Sequence, residues 1–96
     1  MRMMLRTRID AVKGSEALKS GAMQKAIMGF IEKFKPEATY FAADRGMRSG
    51  FFIFDMTASH QMPEIAEAFF DVGCEVEMMP CMAPDDLQKG LAAAGL

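Results

Sequence analysis

The four consecutive residues Phe51-Phe52-Ile53-Phe54 constrain the fold most, because they form a strand-like segment that is apolar on both faces. Successive side chains of a strand point to opposite faces of its sheet, so a strand covered on one side alternates apolar and polar residues. This segment does not alternate, so both faces of its sheet must be buried. A chain of 96 residues has few elements with which to cover both faces. A second copy of the chain is the simplest cover.

The composition is that of one globular domain over residues 1–96. Hydrophobic residues make up 51% of the chain and charged residues 25%, which argues against disorder. A net charge of −2 without a basic cluster argues against a nucleic-acid partner. No segment approaches the roughly 20 apolar residues that cross a membrane, and charges interrupt the opening residues too often for a signal peptide. We therefore expect a soluble, cytoplasmic protein.

Hydrophobic periodicity predicts a strand, a helix and a hairpin in the first half of the chain. Residues 2–9 form a strand with two faces, one of Met3, Leu5, Thr7 and Ile9, the other of Arg2, Met4, Arg6 and Arg8. A link at residues 13–15 leads to a helix over residues 20–35, although Ser15 offers an earlier start, and Pro36 ends it. Strands at 39–43 and 51–56 then flank a hairpin loop over residues 44–50.

The second half of the chain predicts a helix, an edge strand and a short final helix. Ser59 is the expected cap of a helix over residues 59–70, with Pro63 in its first turn. Residues 74–78 alternate as a half-polar strand suited to a sheet edge. Pro84 and the two acidic residues that follow it favour the start of a third helix.

This βαββαβ order with a terminal helix predicts an α+β, ferredoxin-like fold with a four-stranded antiparallel sheet. Both main helices then cover one face of the sheet and leave the other face bare. The third strand lies in the middle of that sheet, where its phenylalanines create an exposed apolar patch. Face-to-face pairing of two sheets buries the patch, so we expect a homodimer.

Several segments also resemble a group of short uncharacterised bacterial proteins. They are Lys35–Phe41, Arg48–Phe51, Asp55-Met56, Ser59–Glu67, Val76–Met82 and Asp86-Leu87. The layout is similar to the dimeric α/β-barrel superfamily, which includes muconolactone isomerases, cofactor-free monooxygenases and haem enzymes. The resemblance implies a ferredoxin-like dimer. It implies little about function, because one fold hosts many chemistries.

His60 and Cys81 are the first candidates for chemistry, since His60 is the only histidine and both are expected at the same sheet edge. Neither has the activating neighbours that a nucleophilic Cys–His pair needs. One histidine with Cys74 and Cys81 matches no zinc-ligand spacing, and a haem ligand at a helix start is disfavoured. We therefore expect two free thiols, no metal and no cofactor, and no catalytic residue can be assigned.

Arg6 and Arg8 lie on the strand face that points away from the helices, where two roles compete. They pair with Glu75 and Glu77 of the neighbouring edge strand, which is the favoured interpretation. Alternatively, they bind the anionic group of a ligand between two sheets. Tyr40, the only tyrosine, is expected in the same cavity.

Arg48 and Asp55 belong to the hairpin and third strand, and they join this candidate ligand site if the hairpin register turns them toward it. Glu37 and Asp44 are expected to be solvated strand-end residues. We therefore expect a homodimer that binds a small molecule without catalysis. The alternative is a cofactor-independent isomerase or monooxygenase acting on a small aromatic or carboxylated compound. Such an enzyme needs a proton-transfer group against its substrate, and no inward-facing histidine is available for that role.

Overall fold

The computed structural model describes all 96 residues and contains one four-stranded antiparallel sheet. The strands are β1 (Arg2–Ile9), β2 (Ala38–Asp44), β3 (Met47–Asp55) and β4 (Glu75–Pro80). The helices are α1 (Ala11–Ser20), α2 (Ala22–Phe34), α3 (Gln61–Phe70) and α4 (Pro84–Ala93). The strand order β2-β3-β1-β4 confirms the α+β, ferredoxin-like sheet, with β3 inside it and β4 at an edge.

The hydrophobic core lies between the sheet and helices α2 and α3. Alternate residues of β1 are buried from Met3 to Ile9, as the period of two predicts. Phe52 and Phe54 of β3 point into the same core and are at most 1% exposed. The ring of Phe30 on α2 meets both edge-to-face at centroid distances of 5.1 Å, a favourable aromatic geometry. The buried residues of α2 (Met23, Ala26 and Phe30) and of α3 (Ile65, Ala66 and Phe69) face this core.

A helix occupies the segment that the sequence analysis treats as a link. Asp10 caps α1, because its side chain accepts hydrogen bonds from the backbone N–H groups of Val12 and Lys13, both at 3.1 Å. Gly21 has a φ of +86° and separates α1 from α2. The predicted helix over residues 20–35 corresponds to α2, which begins two residues later, whereas α1 was not predicted. The alternative helix start at Ser15 is wrong, because Ser15 lies inside α1. The C-terminal end of α2 at Phe34, just before Pro36, agrees with the prediction.

Gly14 is a packing residue rather than part of a flexible link. A Cβ atom built there lies 2.7 Å from Cδ of Arg48 and 3.0 Å from Cγ2 of Ile9. A larger residue there has to displace the Arg48 side chain and presses against Ile9, so glycine favours this close approach of α1 to the sheet. Gly14, which the sequence suggests is a helix breaker, is therefore a point of close contact between α1 and the sheet.

Replacing Gly14 with valine is expected to lower the free energy of unfolding by about 1–3 kcal/mol, because the branched side chain overpacks this contact. Gly29→Val is the matched control, since a Cβ at that helical position has no neighbour within 4 Å. The control is expected to change stability by less than about 0.5 kcal/mol. Urea unfolding at one protein concentration measures both. Equal midpoints for the two variants would show that α1 does not pack closely at Gly14.

The connection between β2 and β3 is a two-residue turn. Arg45 and Gly46 have φ angles of 55° and 75°, and Asp44 pairs directly with Met47. This is the pattern of the tight hairpin turns that match strand twist. The predicted loop over residues 44–50 is therefore wrong, because β3 starts four residues earlier than the predicted strand. Arginine rarely adopts positive φ, so the sequence carries only half of the usual turn signal.

The remaining boundaries agree with the predictions except at the start of α3. No side chain caps that helix at its first residue, so the predicted capping role of Ser59 is wrong. The Gln61 side chain instead accepts hydrogen bonds from the backbone N–H groups of Thr57 and Ala58, at 3.0 and 3.3 Å. β4 ends at Pro80 and α4 begins at Pro84. None of the four helices is long and apolar enough to cross a bilayer.

Candidate functional site

The sheet face opposite helices α1–α3, here called the open face, carries an apolar row that crosses all four strands. In register, Ala38, Ile53, Met4 and Met79 lie side by side. Phe51, two residues from Ile53 on β3, belongs to the same face and is half-buried. The alternation of β3 therefore sends Phe52 and Phe54 to the core, and Phe51 and Ile53 to the open face. Both faces of this strand are apolar, as expected.

A charged cluster occupies the half of the open face toward the hairpin turn. It consists of Arg6, Arg8, Asp44 and Glu77. Asp44 accepts a hydrogen bond from Arg6, and its carboxylate also lies 3.8 Å from Nε of Arg8. Nη2 of Arg8 donates to Oε1 of Glu77 at 3.2 Å. The arginine–glutamate pairing expected from the sequence is therefore present at Glu77, and Asp44 supplies the second carboxylate.

Asp44 is the functional candidate that sequence reasoning missed. It was expected to be a solvated strand end, but its side chain is only 29% exposed and contacts both arginines. The turn at Arg45-Gly46 places Asp44 opposite Met47, on the open face, so recognition of that turn is the signal that would have found it.

The charged cluster has hydrogen-bond donors to spare, although its two positive and two negative charges balance. Nε of Arg6 and Nε of Arg8 are both buried and have no hydrogen-bond partner. A buried donor without a partner costs on the order of 1–3 kcal/mol, more when it is charged. The guanidinium of Arg6 also lies 5.4 Å from the centre of the Phe51 ring, within cation–π range. The cluster therefore contains two N–H groups without an acceptor, next to an aromatic ring.

Tyr40 extends this surface toward the edge of the sheet. It pairs in register with Phe51, which pairs in turn with Arg6, so the three residues form one row on the open face. The Tyr40 side chain is 68% exposed within the chain. Arg6, Arg8 and Tyr40 therefore share the open face, but Tyr40 is separated from Arg6 by the intervening strand β3.

Asp55 and Arg48 lie elsewhere. Asp55 shares the open face but stands four residues from Phe51 along β3, roughly 13 Å away, and accepts a hydrogen bond from the Met1 amino group at 2.6 Å. Arg48 points to the helix side, where its Nη2 donates to the Ser15 hydroxyl at 3.1 Å. It lines a crevice of about 410 Å³ with Met23, Ile27 and Phe41. The structure thus separates both residues from the charged cluster.

A second ionic contact lies at the end of the open face where β1 begins. Nε of Arg2 donates to Glu37 at 2.6 Å, and its Nη1 lies 3.4 Å from the carboxylate of Asp86 on α4. The hydrogen bond to Glu37, with the charge of that carboxylate, raises the pKa of Arg2. Glu37 was expected to be solvated and is about half exposed. This contact attaches the start of α4 to the sheet.

The residues considered for nucleophilic or metal chemistry are dispersed. Cys74 and Cys81 are free thiols, and burial raises the pKa of the Cys74 thiol, because desolvation disfavours its thiolate. His60 is exposed at the start of α3. No three His, Cys, Asp or Glu side chains are grouped in a way that holds a metal ion.

Comparison with known proteins adds no family assignment. No protein-family model matches the chain, and no curated protein matches its sequence. The resemblance to the dimeric α/β-barrel superfamily therefore stays a prediction, and the geometry of the open face is the basis for a functional proposal.

Proposed function

We propose that this protein is a homodimer that binds a small aromatic or carboxylated compound between two sheets packed open face to open face. The observation that carries the proposal is the uncovered apolar surface of β3. Phe51 and Ile53 extend from a sheet whose other face is already a complete core. Exposed apolar surface of this kind marks a contact with another molecule.

The apolar row supports a second copy as that molecule. Ala38, Ile53, Met4 and Met79 form a band across the whole sheet, which offers the same surface to both partners of a two-fold pair. Two-fold pairs are the commonest oligomers, and they need a self-complementary patch. Two sheets packed face to face leave about 10 Å between them, which side chains of this size fill.

The charged cluster supports a ligand at one end of the space between the sheets. Arg6 and Arg8 each keep one unpaired N–H donor there. The Phe51 ring lies 5.4 Å from the Arg6 guanidinium, and Tyr40 is the next residue in the same row. Pockets that bind small molecules combine apolar walls with a few convergent polar groups. A flat aromatic compound with a carboxylate or carbonyl oxygen satisfies the donors and stacks on the rings.

Sedimentation velocity and native mass spectrometry of protein purified without denaturation test the proposal. We expect a dimer at micromolar concentration, with a retained small molecule that denaturation releases. A stable monomer would contradict the dimer. A dimer that retains nothing, and that fails to bind benzoate and salicylate in calorimetric titrations, would contradict the ligand-binding role.

A further inference from the structure

The C-terminal helix α4 has an apolar stripe that its own chain covers only in part. None of its residues is buried. Leu87 and Leu91 are 45% and 40% exposed, and their spacing of four residues places them on one side of the helix. A ten-residue helix is marginal in water, because isolated helices shorter than about 12–15 residues seldom hold together. The helix therefore needs packing that this chain does not supply.

The first turn of α4 lies at the edge of the open face. Arg2 belongs to that face, and its contact with Asp86 holds the first turn of the helix there. Beyond this contact the helix is only loosely packed on the rest of the chain. The radius of gyration is 15.1 Å, against roughly 12.5 Å expected for a compact chain of this length. The longest dimension of the protein is 51 Å and the shortest is 18 Å.

The stripe on α4 and the open face are neighbours, because the contact between Arg2 and Asp86 holds the first turn of α4 at the edge of that face. A second copy that packs on the open face therefore lies next to Leu87 and Leu91.

We propose that α4 is an arm that packs the Leu87–Leu91 stripe against the second copy, with the two copies exchanging arms reciprocally. This inference rests on the proposed homodimer. The arm adds apolar surface to the dimer interface at the edge of the paired sheets, next to the open face. The contact of the stripe with the second copy also stabilises the helical conformation of α4.

The double variant Leu87→Glu, Leu91→Glu tests the arm in the full-length protein. It is expected to raise the dimer dissociation constant about tenfold or more, since it places four carboxylates in the contact. Ala92→Glu, Ala93→Glu is the matched control, with the same added charge on the side of α4 away from the stripe. It is expected to change the dissociation constant by less than about threefold. Analytical ultracentrifugation measures both.

Hydrogen exchange of residues 84–93 across a dilution series supplies the second measurement. The arm predicts amide protection that is present in the dimer and lost on dilution to the monomer. Protection that is independent of concentration would show that α4 packs on its own chain and would overturn the inference. A stripe variant that dimerises like the parent would also overturn it and leave the dimer standing. A parent protein that is monomeric throughout would overturn the dimer and the arm together.

Discussion

Replacing Ile53 with aspartate is expected to give a folded monomer, whereas replacing its neighbour Phe52 with aspartate is expected to prevent folding. The two residues are adjacent in the chain but lie on opposite faces of β3. Phe52 is fully buried against Phe30 and Phe69. A carboxylate buried there costs several kcal/mol, a large part of the roughly 5–15 kcal/mol that stabilise a domain.

Replacing Ile53 with aspartate is expected to weaken dimerisation and to leave the fold of the monomer intact. In a monomer the new carboxylate stays in water, but in a face-to-face dimer it enters an apolar contact twice, once from each copy. The dimer dissociation constant is therefore expected to rise about 100-fold or more. Sedimentation velocity reports the association state, and circular dichroism reports the fold.

Phe70→Asp is the control for this experiment, because it also exchanges an apolar residue for a carboxylate. Phe70 is 48% exposed on α3, on the helix side of the sheet. The Phe70→Asp variant is therefore expected to have the same dimer dissociation constant as the parent. An Ile53→Asp protein that still dimerises with the parent affinity would move the interface to another surface and remove the basis of the proposed function.

The parts of the fold that depend on local burial could be predicted from the sequence. The period of two in residues 2–9 and the helical periodicity of residues 20–35 both match the observed core. Burial repeats along each element, so a single element reveals its own buried face. The two-sided strand Phe51–Phe54 likewise placed β3 inside the sheet.

The errors came from residues whose role depends on distant contacts. Gly14 looks like a helix breaker, yet its missing side chain is what lets α1 pack over Ile9 and Arg48. No local pattern distinguishes a glycine that breaks a helix from one that allows close packing. The whole of α1 was missed for this reason, although Asp10 is an ordinary N-cap residue.

The part of the candidate site that lies on β1 could be predicted from the sequence. The alternation of β1 placed Arg6 and Arg8 on the open face. The positions of Asp44 and Arg48 depend on the hairpin register, which a two-residue turn determines and a seven-residue loop leaves undetermined. Because the turn at Arg45-Gly46 was not recognised, Asp44 was not assigned to the charged cluster and Arg48 was not assigned to either face of the sheet.

Replacing Asp44 with asparagine separates the two roles of the charged cluster. The change keeps the shape of the side chain but removes the carboxylate that both Arg6 and Arg8 face. The free energy of unfolding is expected to fall by about 1–3 kcal/mol, less than for a fully buried pair because the carboxylate is partly exposed. Glu75→Gln is the matched control: Glu75 is the register partner of Arg8 on β4 but forms no ion pair. It is expected to cost less than about 0.5 kcal/mol.

The ligand response to the same substitution goes in the opposite direction from stability. Without the Asp44 carboxylate the cluster has an excess positive charge, so benzoate is expected to bind about tenfold more tightly to Asp44→Asn than to the parent. Arg6→Met is expected to lose that binding while the protein remains a dimer.

If Asp44→Asn loses stability but none of these variants binds benzoate, the charged cluster has only a structural role, which is to hold the β2–β3 hairpin against the central strand β1. If Asp44→Asn is as stable as Glu75→Gln, the cluster does not stabilise the fold. In that case, benzoate binding that is lost in Arg6→Met would assign the two arginines to a ligand.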